Sequence, residues 1–324
     1  MTTEKGASSE LHTAGWYEKP LDYKTVLYEP NYETHVAKVI MNRPEKLNAL
    51  SHQLRGEIIH AMKVSERDDD INVIILKGAG RCFSAGYDIG GGMGTGAEEL
   101  DFGSQYRGAS HWTRYLINQW WQIWELSKVV IAQTHGYVLA GGTELCFVCD
   151  LLVTTPDCQF GYPSVRAMTA PDLMWFPWLL PMRKAREMAF TGDSITGEEA
   201  YQFGMANYCV AESEIDEFTR TFANRVALIP WQTQTLHKRD LQKSYEIMGI
   251  RTALEAHALQ WSLMAETPQI KKMSELFRKL PLREYLTIRD QPYKDFRTAE
   301  KAILDRAERE GEAWKGVSEE VKPK

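Results

Sequence analysis

The sequence is short of several features that would assign the protein to a specialised class. Its net charge is −6, from 38 basic and 44 acidic residues, and the scattered basic residues do not form the positive surface that a nucleic-acid backbone requires. No stretch reaches the roughly 18 consecutive apolar residues of a membrane-spanning helix. Residues 1–15 are polar and lack the apolar segment of a secretory leader. We therefore expect no nucleic-acid partner, no membrane partner and a cytoplasmic location.

Cysteine is also scarce. The five cysteines are irregularly spaced and odd in number, which argues against a disulfide framework. Cys146 and Cys149 have the spacing of half a zinc site, but no second pair of cysteine or histidine residues accompanies them. The sequence therefore predicts buried thiols and no metal site.

Apolar residues, in contrast, suffice for a large core, because 44% of the 324 residues are hydrophobic and 25% are charged. Continuous apolar runs at 73–77 and 129–133 predict strands buried on both faces, as in a parallel sheet. Helical patterns follow these strands, which is the α/β arrangement. We divide the chain into a polar arm (1–20), a core (21–211) and a helical C-terminal segment (212–324).

Local patterns at the start of the core predict two further features. The segments 23–28 and 35–41 alternate as strands and predict a hairpin, with turn residues at 29–31. Ser51 precedes a run with apolar residues at helical spacing, and serine is a preferred helix N-cap residue. The core therefore begins with a hairpin and a capped helix.

Two glycine-containing segments are candidates for binding an anion. Residues 140–144, Ala-Gly-Gly-Thr-Glu, close a turn after a strand and open a helix, so the first amides, including that of Gly141, lack intrahelical partners. Residues 84–88, Ser-Ala-Gly-Tyr-Asp, follow the strand at 73–77 and offer the amide of Ala85. Two such donors that converge on one oxygen would form an oxyanion hole.

The ordered motifs resemble those of the enoyl-CoA hydratase/isomerase (crotonase) superfamily over roughly residues 25–217. They are NRPEKLNAL at 42–50, FSAGYDI at 83–89, HGYVLAGGTEL at 135–145, CD at 149–150, FG at 160–161, FTGD at 190–193 and AYQFGMA at 200–206. The resemblance implies an α/β crotonase spiral with C-terminal helices that complete neighbouring sites in a homotrimer or a dimer of trimers.

The same resemblance implies functions for individual residues. The amides of Ala85 and Gly141 would hold the oxygen of an acyl-CoA thioester. The coenzyme A site would be lined by the backbone near five residues of one loop: Arg81, Phe83, Ala85, Asp88 and Ile89. No cofactor is implied beyond the coenzyme A thioester as substrate, because the oxyanion hole supplies the electrophile that a metal would otherwise provide.

The acids depart from the family pattern. Glu144 occupies the position of the first catalytic glutamate, but Ser164 stands where the second would follow, and a serine is no general acid or base at its ordinary pKa. Asp172 lies where related isomerases and dehalogenases place a functional aspartate. We take Glu144 and Asp172 as candidate catalytic residues, and the candidate acyl-pocket side chains are Tyr87, Tyr162, Ser164 and Trp175.

These residues leave three functions open. The leading hypothesis is hydration of an α,β-unsaturated acyl-CoA, or the reverse dehydration. The second is an enoyl- or dienoyl-CoA isomerase, or a C–C hydrolase of a cyclic β-keto acyl-CoA, since both also form a thioester enolate. The third, which Ser164 motivates, is a non-catalytic acyl-CoA-binding subunit.

Overall fold

A computed structural model describes residues 21–89, 109–167 and 170–296 and has the predicted α/β architecture. The predicted arm at 1–20 and the end of the chain after 296 lie outside the described residues. The strands are β1 (Val26–Asn31), β2 (Val36–Met41), β3 (Val73–Gly78), β4 (Val129–Thr134), β5 (Tyr137–Leu139), β6 (Leu151–Thr154), β7 (Gln159–Gly161), β8 (Ile195–Thr196) and β9 (Tyr208–Cys209).

The strands form two sheets. The larger has the order β1-β2-β3-β4-β6-β9, and the smaller, which the sequence did not reveal, has the order β5-β7-β8. In the larger sheet β1 and β2 are antiparallel and the remaining pairs are parallel. The buried strands predicted at 73–77 and 129–133 are confirmed as the central strands β3 and β4.

The hairpin is confirmed, but its turn was misplaced. Pro30 lies inside β1, where it pairs with Ala37, and the turn is formed by residues 32–35. Because β1 is the edge strand, a residue without an N–H is tolerated there. The proline therefore marks a sheet edge and not a chain reversal.

The first helix is α1 (His52–Arg67). Its predicted N-cap is confirmed, because the Ser51 hydroxyl accepts a hydrogen bond from the amide of Leu54 at 3.2 Å. The others are α2 (Ala109–Trp124), α3 (Gly141–Phe147), α4 (Phe176–Leu179), α5 (Met182–Thr191), α6 (Gly197–Gln202), α7 (Ile215–Ala227), α8 (Trp231–Ile247), α9 (Ile250–Ala265), α10 (Pro268–Lys279) and α11 (Leu282–Asp290). None of these described helices is both long and apolar enough to cross a membrane.

Alternate residues of the central strands belong to two cores on opposite faces of the sheet, as the period of a strand requires. Ile74 and Leu76 of β3 join the main core with α1 and α2. Val73 and Ile75 join a second core with α7. The helical C-terminal part thus begins by packing on the sheet of its own chain.

A buried arginine ties the last helices to the core. The Arg166 side chain is 1% exposed and forms ion pairs with Asp193 at 2.7 Å and with Asp290 at 3.1 Å. A third apolar cluster joins Phe277 of α10 and Tyr285 of α11 to Ile89. The C-terminal helices therefore lie beside the loop that follows β3 in the same chain.

Candidate active site

The loop after β3 supplies one backbone amide that is open to a ligand. Its neighbours are bonded, since Gly86 N donates to Ser84 Oγ at 3.1 Å. Asp88 N donates to the Leu50 carbonyl at 3.4 Å. Between them, the amide of Tyr87 makes no hydrogen bond to any described residue. The loop therefore offers one donor at Tyr87.

The start of α3 supplies a second open amide. Ala140 N donates to the Gly161 carbonyl at 2.9 Å, and Thr143 N donates to the Ala140 carbonyl at 2.8 Å. The Gly141 amide between them has no partner within the described part of the chain. A methyl group added to Gly86 would lie 3.4 Å from Gly141 N, so the two segments are in close contact.

The prediction that Ala85 supplies an open amide is wrong. Its N–H donates to the Leu47 carbonyl at 3.0 Å, so this donor is already used to join the two loops. The open amide lies two residues further on, at Tyr87. Sequence spacing showed which loop was involved, but it could not show which amides of that loop bond internally.

Glu144 is buried at 0% exposure in the first turns of α3. Its Oε1 accepts hydrogen bonds from the amides of Asp172 at 2.7 Å and Leu173 at 3.3 Å. Its Oε2 accepts a short hydrogen bond from the Tyr87 hydroxyl, and Tyr162 supplies a further side-chain hydrogen bond. Such a set of donors fixes a carboxylate in one orientation.

Burial and hydrogen bonding change the pKa of the Glu144 carboxyl group in opposite directions. Burial raises the pKa of Glu144, and the donors from Tyr87, Leu173, Tyr162 and Asp172 partly counter that rise. Burial, followed by the nearby negative charge of Glu144, raises the pKa of both tyrosines well above its usual value. Both phenols therefore remain protonated donors at neutral pH.

Asp172 is brought to the same cluster, as the sequence predicted for a second acid near Glu144. Its side chain is 4% exposed, and its charge acts on Tyr87, Tyr162 and Arg55. The Arg55 guanidinium lies 5.7 Å from the centre of the Tyr87 ring. A buried cation therefore accompanies the two buried carboxyl groups, which reduces the repulsion between them.

The candidate acyl-pocket residues are separated by the structure. Tyr87 and Tyr162 contact Glu144, as described above. Ser164 lies in the 3₁₀ helix Pro163–Arg166, and no hydrogen bond joins its side chain to Glu144 among the described contacts. Trp175 is 0% exposed within the main core and donates to Thr143 Oγ1 at 3.0 Å, and its place in an acyl pocket stays a prediction.

The predicted coenzyme A residues lie together on the loop after β3. Arg81 is exposed, and the Asp88 carboxylate forms an ion pair with Arg43 at 2.9 Å. Phe83 N, like Ala85 N, donates within the protein. The coenzyme A contacts stay a prediction.

Sequence reasoning missed three residues that hold the site. Trp120 donates to the Tyr87 hydroxyl at 3.1 Å. Asn48 donates to the carbonyls of Ala79 at 2.8 Å and Cys82 at 2.9 Å. Arg55 gave no signal, since a charged residue in an amphipathic helix is usually exposed, whereas Asn48 stands inside a motif and could have been found there.

Two open amides beside a buried, fully bonded glutamate define a site for an anionic intermediate on an α/β scaffold. The family model described as enoyl-CoA hydratase/isomerase matches residues 31–280. The chain therefore belongs to the enoyl-CoA hydratase/isomerase (crotonase) family, and it is an enzyme of the hydratase/isomerase type. The alternative of a non-catalytic subunit is not supported.

Comparisons with individual relatives agree with this family assignment. EchA13 of Mycobacterium tuberculosis, whose name assigns it to the enoyl-CoA hydratases, is 30% identical over 254 residues, which are 73% of this chain and 79% of that protein. An enoyl-CoA hydratase structure from Mycobacterium smegmatis has a TM-score of 0.76 at 25% identity and covers 86% of this chain and 100% of its own. An enoyl-CoA hydratase/isomerase structure from Xanthobacter autotrophicus Py2 has a TM-score of 0.72 at 29% identity. The match covers 83% of this chain and 98% of that one. The predicted crotonase fold is confirmed.

Proposed function

We propose that the protein hydrates an α,β-unsaturated acyl-CoA, or dehydrates the corresponding β-hydroxyacyl-CoA, through a thioester enolate. The observation that carries this proposal is the position of Tyr87. Its amide is open beside that of Gly141, and its hydroxyl bonds Glu144. One residue thus joins the donors for the oxygen to the group that moves the proton.

The amides of Tyr87 and Gly141 hold the thioester oxygen in this mechanism. Negative charge grows on that oxygen when a nucleophile adds to Cβ, and amides fixed in advance stabilise it without reorganisation. The bonded amides on either side of Tyr87 keep its N–H in place. The electrophilic activation of the thioester therefore comes from the backbone.

Glu144 moves the proton. As the water oxygen bonds to Cβ, its proton passes to the Glu144 carboxylate, and the enolate forms. Glu144 then returns a proton to Cα, which restores the thioester and the ionised carboxylate. One carboxylate closes this proton balance, so Ser164 needs no chemical function. Burial raises the pKa of Glu144, which improves it as a base once it is ionised.

Asp172 serves as the second carboxylate of the proposed site. Its amide fixes Oε1 of Glu144 at 2.7 Å, and its charge faces the two tyrosines. It positions Glu144 through its backbone amide, and its side-chain charge acts on the two tyrosines that bond Glu144. Its contribution is therefore expected to be smaller than that of Glu144.

Incubation of the protein with crotonyl-CoA in H₂¹⁸O tests the proposal. Hydration places one heavy oxygen on the β-carbon, and mass spectrometry of the product detects a gain of one labelled water. Turnover of enoyl thioesters without any label would contradict hydration.

Isomerisation is the second candidate, and one observation favours it. Ser164 stands where a second glutamate is expected, and a single carboxylate is enough to carry a proton between Cγ and Cα. Incubation of a 3-enoyl-CoA would then give the 2-enoyl-CoA, with the double bond moved and no oxygen incorporated. The same incubation in H₂¹⁸O separates the two reactions, because only hydration places labelled oxygen in the product.

Assembly and location are also parts of the proposal. The resemblance supports a homotrimer or a dimer of trimers, and a cytoplasmic location is proposed with it. The backbone of the loop after β3 is proposed to line the coenzyme A site. Sedimentation of the purified chain tests the assembly.

A further inference from the structure

Ala140 has a backbone conformation that alanine rarely adopts. Its φ is 48° and its ψ is −124°. In this region the β-carbon of an L-residue crowds its own backbone, so glycine is the usual occupant. A residue other than glycine keeps such a conformation only when its surroundings hold it there. Ala140 directly precedes Gly141, so the strained residue lies in the turn that presents one of the two proposed donors.

The peptide group between Ala140 and Gly141 carries both the Ala140 carbonyl and the Gly141 N–H. In a planar trans peptide these two bonds point in opposite directions. The Gly141 N–H has no partner among the described residues, so nothing in that part of the chain holds it directly. Whatever fixes the Ala140 carbonyl therefore also fixes the direction of the open N–H.

Thr143 donates two hydrogen bonds to that carbonyl. Its backbone N–H donates to the Ala140 oxygen at 2.8 Å, and its hydroxyl Oγ1 donates to the same oxygen at 2.7 Å. Threonine hydroxyls in helices often bond a carbonyl three or four residues back. The hydroxyl contact taken alone would therefore show only local structure.

Trp175 gives the Thr143 hydroxyl a defined direction. Its Nε1 donates to Thr143 Oγ1 at 3.0 Å. An indole N–H only donates, so Oγ1 is the acceptor in this bond, and its single proton is directed to the Ala140 carbonyl. Thr143 is 1% exposed and Trp175 is 0% exposed, so these bonds are shielded from water. A buried chain of hydrogen bonds thus ends on the peptide of Gly141.

The neighbouring loop leaves this turn little room to relax. A β-carbon added to Gly86 would lie 2.8 Å from the β-carbon of Ala140. One added to Gly142 would lie 2.9 Å from the Ser84 carbonyl oxygen. The turn therefore packs closely against the same loop that presents the Tyr87 amide.

We propose that Thr143 is a positioning residue for the thioester oxygen, and that Trp175 acts with it by holding the hydroxyl that orients the Gly141 N–H. This inference rests on the proposed function, since the direction of the N–H matters only if charge develops on that oxygen. Both side chains act through the Ala140–Gly141 peptide and not on the reacting atoms. Trp175 follows Asp172 by three residues, so one segment supports both the proton transfer and the oxyanion hole.

The enolate of bound acetoacetyl-CoA tests the proposal without turnover. Acetoacetyl-CoA equilibrates between a keto form and an enolate, and the enolate is measured by its near-ultraviolet absorbance. In a saturated complex at fixed pH, the enolate-to-keto ratio reports stabilisation of the oxygen and does not depend on how tightly the ligand binds. Thr143→Val keeps the shape of the side chain and removes the hydroxyl. The ratio should fall about tenfold, which is less than the loss of a whole oxyanion donor.

Three further variants separate positioning from packing. Thr143→Ser keeps the hydroxyl and should restore most of the ratio. Trp175→Phe keeps an aromatic ring, removes the indole N–H and should lower the ratio about threefold, as one buried hydrogen bond would. The matched control is Thr235→Val, at a threonine that is 6% exposed and bonds the carbonyls of Ser127 and Trp231 at 2.8 Å. Its ratio should equal that of the wild type.

The outcomes distinguish this inference from the proposed function. An unchanged ratio in Thr143→Val, or an equal fall in Thr143→Ser or Thr235→Val, would overturn the positioning function. If Thr143→Val does not fold, an unchanged ratio in Trp175→Phe would overturn it. Crotonyl-CoA is incubated separately with the wild-type protein in H₂¹⁸O. If the ratios change as expected but no labelled water is gained, hydration is overturned and the positioning of the oxygen stands.

Discussion

The two halves of the candidate site are built in different ways. The half for the thioester oxygen consists of backbone amides, at Tyr87 and Gly141, held by bonded loops on both sides. The half that moves the proton consists of buried side chains that meet from distant parts of the sequence around Glu144. The first half acts through backbone atoms and leaves no room for a side chain at Gly141, whereas the second acts through the side chains themselves, so the reaction is specified in the second.

The largest effect should come from the proton-transfer half, with Glu144→Gln. The amide keeps the shape of the side chain but cannot take a proton from water, so kcat with crotonyl-CoA should fall about 10³-fold. Steady-state kinetics measures this, with the exposed Glu212→Gln as a control that keeps the wild-type rate. A fall of less than threefold would remove Glu144 from the chemistry.

Next in size is a change in the backbone half, Gly141→Ala. The added methyl group would lie 2.6–2.8 Å from ring atoms of Tyr87, so ring and amide must move apart. Displacing one donor of an oxyanion hole costs about 10²-fold in kcat. The matched control is Gly56→Ala, where the methyl group meets nothing within 4 Å and the helix gains about 0.5–1 kcal/mol. Equal activity of the two variants would contradict the proposed position of the oxygen.

Tyr87→Phe separates the two halves, because it keeps the amide and removes only the hydroxyl. A lost hydrogen bond to a charged group should lower kcat about tenfold. The hydroxyl lowers the pKa of Glu144, so without it that pKa rises further. If the base form is active, the acidic limb of the kcat profile moves to higher pH.

The control for this profile is Tyr201→Phe, at a tyrosine that is 52% exposed. Its acidic limb should coincide with that of the wild type. A shift of the Tyr87→Phe limb to lower pH would show that the hydroxyl does not stabilise the ionised form of Glu144.

The smallest effect is expected at Ser164, with Ser164→Ala. Its side chain has no described hydrogen bond to Glu144, whose donors come from Tyr87, Tyr162, Asp172 and Leu173. Loss of its hydroxyl should change kcat less than about threefold, as at positions without a specific contact. Kinetics with crotonyl-CoA checks this, and a loss comparable to that of Glu144→Gln would give Ser164 a direct function in proton transfer.

The loops of the backbone half and the main residues of the other half could be predicted from the sequence, but the contacts within each half could not. The strands β3 and β4, the cap at Ser51 and the turn before Gly141 follow from local patterns that need no tertiary information. The exact open amide did not, because the bond between Ala85 and Leu47 depends on how two loops meet.

The side-chain half depends on contacts between distant residues. Glu144 meets Asp172 across 28 positions and Tyr87 across 57, and no local pattern encodes such meetings. The bond of Trp175 to Thr143 likewise joins residues 32 positions apart.

A crystal structure with a bound acyl-CoA thioester, such as acetoacetyl-CoA, tests the central claim most directly. The thioester oxygen should lie about 2.7–3.1 Å from the amide nitrogens of both Tyr87 and Gly141, with the Ala85 amide still bonded to Leu47. A thioester oxygen bound to the Ala85 amide, or bound away from Gly141, would contradict the proposed oxyanion hole.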